Sequence, residues 1–198
     1  MLLVNKMKEE GVIKINELSR DIQKEILKGH GIAIRFINNP DKELQIIAAK
    51  ANGHAIRFIN NPDKDVQLEA VKQNGRSIRF INNPDKELQL EAVKKDGRSI
   101  RFINNPDKDV QLEAIKENGA NISYIKNPDK EVLDRIEIYE TSFRTIYAFR
   151  DDDGKYKFSL GCQNNISKEN FIWRIYNLDG GLEKKPHRQE YLNILKRY

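Results

Sequence analysis

Across 198 residues, charged side chains make up 33% and hydrophobic ones 38%, a thin apolar supply for one compact core and a better match to an elongated repeat array with its larger surface. No run approaches the roughly 18 apolar residues of a membrane span, and the single cysteine, Cys162, excludes intramolecular disulfides and points to a reducing, cytoplasmic setting. The net charge of +5 is uneven: residues 141–198 hold 11 Lys/Arg against 7 Asp/Glu, whereas residues 1–140 hold 24 against 23, so bulk charge does not make the first part a nucleic-acid clamp.

The dominant pattern is an Asn-Pro-Asp-Lys motif that returns five times at a spacing of 22 residues, with prolines at Pro40, Pro62, Pro84, Pro106 and Pro128. Glycines keep step at Gly31, Gly53, Gly75, Gly97 and Gly119. A period of this length marks a solenoid, in which each unit buries its apolar face against its neighbours. The fold class expected is mainly α: a right-handed α-solenoid of about six short two-helix repeats with a small C-terminal α+β (ββαα) module.

Residues 1–30 read as a degenerate N-terminal capping repeat. Ile22, Ile26 and Leu27 align with Leu44, Ala48 and Ala49 of the next unit. Lys6, Lys8, Glu9 and Glu10 supply a polar entrance, as a terminal repeat needs. Met1-Leu2-Leu3-Val4 is too short an apolar run for a secretory leader.

Residues 31–139 are the regular repeats, and Gly75 to Asp96 serves for all. Asn83-Pro84 has the form of a helix start, Asn as N-cap and Pro at the first helical position. Asp85 and Glu87 then complement the positive end of a helix from Asp85 to Lys95, and Lys94 and Lys95 its negative end. Gly97 stands where a left-handed C-terminal residue is wanted. Leu88, Leu90, Ala92 and Val93 spread over roughly 200° of the helical wheel, which predicts a helix buried in the middle of a stack. The second element, Arg76 to Ile81, has alternation that allows a short strand. A one- to two-turn helix is favoured, because small residues recur at Ala33, Ala55, Ser77 and Ser99. That helix groups Ser77, Phe80 and Ile81 and turns Arg79 away.

Two families are resembled by these units. Asn-Pro-Asp-Lys-Glu-Leu-Gln-Leu-Glu-Ala-Val-Lys, residues 83–94, is similar to the leucine-rich repeat variant, whose units alternate an α-helix with a short 3₁₀-type helix. Val71 to Gly75, Val-Lys-Gln-Asn-Gly, resembles an uncharacterised bacterial helical repeat. The resemblance covers about residues 31–135 and bears on architecture, not activity. The 22-residue unit and the absence of a cysteine cluster depart from the first family, so no metal role is carried over.

Residues 140–198 form the small second module. Thr141 to Arg150 is rich in β-branched and aromatic residues, Asp151-Asp152-Asp153-Gly154 is a turn signal, and Tyr156, Phe158 and Leu160 alternate, which together predict a β-hairpin. Ser167 caps a helix over Lys168 to Tyr176, Asp179-Gly180-Gly181 breaks it, and a last helix covers Arg188 to Lys196.

The candidate contact residues are two basic columns in the repeats. One runs Arg35, Arg57, Arg79 and Arg101 and ends at Ser123; the other contains His54, Arg76 and Arg98. Stacked as ladders they offer a strip for an acidic protein or for phosphates, unless each arginine pairs with a carboxylate such as Glu69, Glu91 or Glu113. Gln45, Gln67, Gln89 and Gln111 fall inside the apolar arc and require amide partners, either one another or the Asn-Asn turns. Asp151 to Asp153 read as a hairpin turn, since no Glu completes a calcium loop. Cys162 with His187 is too sparse a pair to carry nucleophilic catalysis.

The reading expected is therefore a non-enzymatic interaction solenoid that binds a protein partner, without cofactor or metal. The Lys/Ile/Asn-rich, near-identical copies point to a bacterial or phage source, a phage inhibitor of a host defence system being one instance. The alternative is a nucleic-acid-binding repeat protein that uses the arginine ladder.

Overall fold

A computed structural model describes residues 15–141, 145–160, 163–177 and 188–198. The fold is mostly helical, with repeated helix pairs followed by a four-stranded antiparallel sheet and further helices. It forms two compact units, Met1–Lys95 and Asp96–Tyr198. The first contains a short 3₁₀ turn, η1 (Ile15–Glu17), then α1 (Arg20–Gly29), η2 (Gly31–Phe36), α2 (Lys42–Ala51), η3 (Gly53–Phe58), α3 (Lys64–Gln73), η4 (Gly75–Phe80) and α4 (Lys86–Lys95). The second opens with η5 (Gly97–Phe102), α5 (Lys108–Glu117), η6 (Gly119–Tyr124) and α6 (Lys130–Asp134).

The helix start differs from the sequence expectation. The cap is the aspartate two residues after the asparagine: Leu44 N–H donates to Asp41 Oδ1 at 3.1 Å, Val66 to Asp63 at 3.3 Å and Leu88 to Asp85 at 2.9 Å. Asn39, Asn61, Asn83 and Asn105 instead hold left-handed backbone, with φ of 47–49°. Asparagine tolerates that region better than most residues, so it turns the chain and leaves the capping to Asp.

The glutamines complete this corner. Gln45, Gln67 and Gln89 donate from Nε2 to the carbonyls of Pro40, Pro62 and Pro84 at 2.7, 2.7 and 2.8 Å. In the second unit Gln111 does the same to Pro106 at 2.8 Å and accepts from Asp129 N–H at 2.9 Å. The amides thus tie each helix to its own entry turn, rather than forming a ladder with one another.

At the other end the glycines are not left-handed; among the described glycines only Gly154 has positive φ. Asn52 and Asn74, in extended conformation, accept from His54 and Arg76 N–H through Oδ1 and start the following 3₁₀ helix. Glycine is required for clearance. A Cβ on Gly53 would lie 2.6 Å from Ser77 Oγ and would collide with the Ala70 carbonyl of the next helix. Successive repeats can therefore close to backbone contact.

That approach buries Leu44, Val66 and Leu88, with Ala49, Val71 and Val93 one to two turns on, at 0–3% exposure. Leu90 is only half-buried. In the degenerate first repeat Leu27 is fully buried, while Ile22 is 41% exposed. Charges repeat outside this core. Lys42 Nζ pairs with Asp63 at 3.0 Å and also with Asp65; Lys64 pairs with Asp85 at 3.0 Å and Glu87 at 2.5 Å. Arg20 takes the equivalent place in α1, bonded to Asp41 and, at 2.8 Å, to Glu43. Each Asp-Lys-acid triplet thus links one helix start to the next.

The module begins directly after α6. Strands β1 (Ile136–Glu140), β2 (Thr145–Arg150), β3 (Tyr156–Leu160) and β4 (Gln163–Ser167) form one antiparallel sheet in sequence order. Two helices follow, α7 (Lys168–Asn177) and α8 (Arg188–Leu195). The expected hairpin is the β2–β3 pair, with Tyr147 opposite Ser159. Its Asp151 Oδ1 accepts from Asp153 and Lys155 N–H at 3.1 and 2.9 Å, a self-bonded turn. The sheet has two strands more than the ββ expected, because β1 follows a helix with no Gly or Pro between, and β4 (Gln-Asn-Asn-Ile-Ser) lacks β-branched alternation. Ser167 caps α7 as expected, accepting from Asn170 N–H at 3.2 Å. Phe158 stacks on Phe171 at 5.0 Å, and Ile146, Ala148 and Tyr191 close the core around them. Residues 1–14, Cys162, Asp179-Gly180-Gly181 and His187 lie outside the described residues, so the polar entrance, the helix break and the Cys–His pair do too.

Candidate functional site

In a 3₁₀ helix side chains three apart lie over one another. His54 and Arg57 therefore share a face of η3, and Arg76 and Arg79 a face of η4, so the two basic columns are one turn apart on the same elements. The buried faces of η2, η3 and η4 are held by Ile34, Ile56 and Ile78, each at 1–2% exposure. The following arginine, at Arg35, Arg57 and Arg79, is turned out to solvent.

Each of these arginines stacks on an aromatic ring. The Arg35 guanidinium lies 4.4 Å from the Phe36 ring centre, Arg57 4.8 Å from Phe58 and Arg79 4.9 Å from Phe80. Arg57 also reaches the Phe80 ring of the next repeat, at 5.8 Å. In the second unit Arg101 lies 5.4 Å from Phe102 and 5.3 Å from Tyr124. Such contacts attract a cation to the ring face and limit the arginine rotamers. Among the described residues Arg35, Arg57 and Arg101 have no carboxylate within salt-bridge distance; Glu69 lies 3.9 Å from Lys50 instead. At Arg35, Arg57 and Arg101 the partner is therefore aromatic rather than acidic.

The second column is more firmly engaged. Asn74 Nδ2–H donates to His54 Nε2 at 3.3 Å, and the half-buried imidazole stands edge-on to Phe80 at 5.7 Å. Arg98 bonds through Nε to Asp96 at 3.1 Å, which raises its pKa, and Arg76 is half-buried. The structure thus brings Arg35, Arg57 and Arg79 together on the first unit's edge, and places His54 among packing residues.

Sequence reasoning missed the aromatic half of this edge. Phe80 was expected to pack inward with Ser77 and Ile81; those two are buried, but Phe80 is half-buried, and its counterpart Phe36 is 52% exposed. The signal was present as an invariant Arg-Phe pair at 35–36, 57–58, 79–80 and 101–102. Among the described residues no group of His, Cys, Asp and Glu is arranged to hold a metal, and no helix is long and apolar enough to cross a membrane. Asp152 of the turn is occupied by Arg135, and by Lys116 at 3.5 Å.

The fold and edge define a class: a helical repeat array with a small α+β module. A protein family described as "Domain of unknown function (DUF4116)" matches residues 41–84, 63–106 and 85–130, each match spanning two successive units. The repeats thus match a repeat family of unknown function, and the match is not to the leucine-rich repeat variant. What remains of the resemblance to that variant is the alternation of α and 3₁₀ helices. Neither a curated protein nor a solved structure matches the chain.

Proposed function

We propose that this chain is a non-enzymatic interaction protein whose repeats bind a protein partner through their arginine–aromatic edge. The observation that carries this is the sharing of the Arg57 guanidinium between Phe58 and Phe80, on a solvent-facing turn. Arginine and aromatic side chains dominate the anchoring residues of protein interfaces. Stacking holds these ones in place beforehand, so less side-chain freedom is lost on binding. Equivalent pairs recur every 22 residues, which lets a contact extend by repetition.

A second reading, nucleic-acid binding, is favoured by the lack of carboxylate partners at Arg35, Arg57 and Arg101 among the described residues. The near balance of 24 basic and 23 acidic residues over 1–140 favours the protein partner. Affinity capture from the native cell, with mass spectrometry, tests both when the full chain is compared with an R35A/R57A/R79A variant. The expected result is a polypeptide retained by the native chain and lost by the variant, which keeps the native helical circular dichroism. Duplex DNA binding that falls steeply with salt and disappears in the variant overturns the protein reading in favour of nucleic acid.

A further inference from the structure

A cleft of about 470 Å³ opens in the second unit beside η5 and η6 and the turns that follow them. Its rim carries Arg101, Lys126, Asn104, Asn105, Asn127 and the ring of Tyr124. Ile103 and Ile125, both 7% exposed, anchor its walls in the repeat core. No aspartate or glutamate lines it, in a chain that has 30 of them. Arg101 and Lys126 have no carboxylate partner among the described residues, whereas Arg98, Lys108, Arg135 and Lys157 of the same unit are each ion-paired. The cleft therefore combines two uncompensated cations with four side-chain amides, Gln111 being the fourth, and a phenol.

A second observation points to the same place. The repeat that contains η6 departs from the earlier ones at positions lining this cleft. Tyr124 stands where they have Phe36, Phe58, Phe80 and Phe102; Lys126 stands where they have Asn38, Asn60, Asn82 and Asn104. The first change adds a hydroxyl and the second a cation, so both add donors. Arg101 is also held between two rings, 5.4 Å from Phe102 and 5.3 Å from Tyr124. A guanidinium fixed in this way presents its fork to an incoming anion at reduced entropic cost.

We infer that this cleft is an anion site that takes the carboxylate of an acidic side chain from a partner polypeptide. Arg101 and Lys126 neutralise it and the asparagine amides and the Tyr124 hydroxyl donate around it. The size suits a short side chain and its flanking backbone, within the range of preformed ligand pockets. The inference rests on the protein-partner reading, but uses none of Arg35, Arg57 and Arg79.

The test uses the full chain, labelled with ¹⁵N and titrated separately with a capped tri-glutamate peptide and with inorganic phosphate. The comparison variant is Y124F/K126N, which installs the residues other repeats carry and so preserves the fold. The proposal expects saturable shifts at the Asn104, Asn105 and Lys126 amides with the peptide, and at least a tenfold weaker Kd in Y124F/K126N. Absence of saturation, or equal affinity in the variant, overturns it, and tighter binding of phosphate than of peptide overturns the carboxylate assignment. If the peptide fails while R35A/R57A/R79A still loses a captured protein, this inference alone falls; if the peptide binds while no protein is captured, the partner reading falls.

Discussion

Asp63 does two jobs: it caps α3 and accepts from Lys42 of the preceding repeat. The Lys42 hydrogen bond is the main reason its carboxyl titrates below the ordinary range, as the Arg20 bond is for Asp41. A folded pKa below the unfolded value of about 3.9 means that the unfolded chain binds more protons in that interval. The stabilisation is complete above about pH 4 and is lost as pH falls through the folded value. Urea midpoints should therefore hold level from pH 7 to pH 5 and drop below pH 4. Asp63→Asn keeps a competent cap but removes the titration, so its midpoint should fall less steeply in acid. An unchanged acid limb would show that the pairing adds nothing to stability. Glycines separate two physical causes at the same scale. Gly53→Ala forces a Cβ against Ser77 Oγ and the Ala70 carbonyl and should cost about 1–3 kcal/mol by overpacking. Gly154→Ala meets open space but sits at φ +76°, so it should cost about 1–2 kcal/mol through conformation alone. Chemical denaturation of both variants checks the pair of figures.

The 22-residue unit was readable in its apolar positions, since Leu44, Val66 and Leu88 recur with the period and are all buried. Its caps were not. Asn and Asp both make good caps and stand on either side of the proline, and only the left-handed φ of Asn83 assigns the cap to Asp85. The Asp-Lys-acid links were also hidden, because a triplet that suits a helix dipole gives no sign that its lysine reaches the next repeat. In the second module, the β2–β3 hairpin was readable from its Asp-rich turn. Strand β1 was not, because Ile136–Glu140 continues from α6 without a breaking residue. The arginine column was legible from repetition alone, but its aromatic partners depended on the 3₁₀ geometry, whose three-residue turn differs from the α wheel. Phe158 joins the sheet to α7 through its 5.0 Å stack on Phe171. Phe158→Ala should cost about 3–5 kcal/mol, read as an early-melting β signal in circular dichroism of the full chain.

The molecule as a whole offers a column of basic groups on stacked turns, within repeats that balance 24 Lys/Arg against 23 Asp/Glu over residues 1–140, and a basic C-terminal portion. Exposed ion pairs such as Lys42–Asp65 are individually weak. Their repetition at Arg20, Lys42 and Lys64 favours one register between successive repeats of the first unit over a slip, and that register aligns Arg35, Arg57 and Arg79. The binding account depends on that alignment and on a partner that meets it. The most direct measurement is site-specific photo-crosslinking in the native cell, with a photoreactive phenylalanine placed at Phe36 or Phe58 and, as controls, at Lys50 or Lys72 on the exposed ends of the α-helices. The account predicts a discrete polypeptide adduct from Phe36 and Phe58, absent from Lys50 and Lys72 and abolished by R35A/R57A/R79A. Adducts from the control positions alone, or only to nucleic acid, would contradict it.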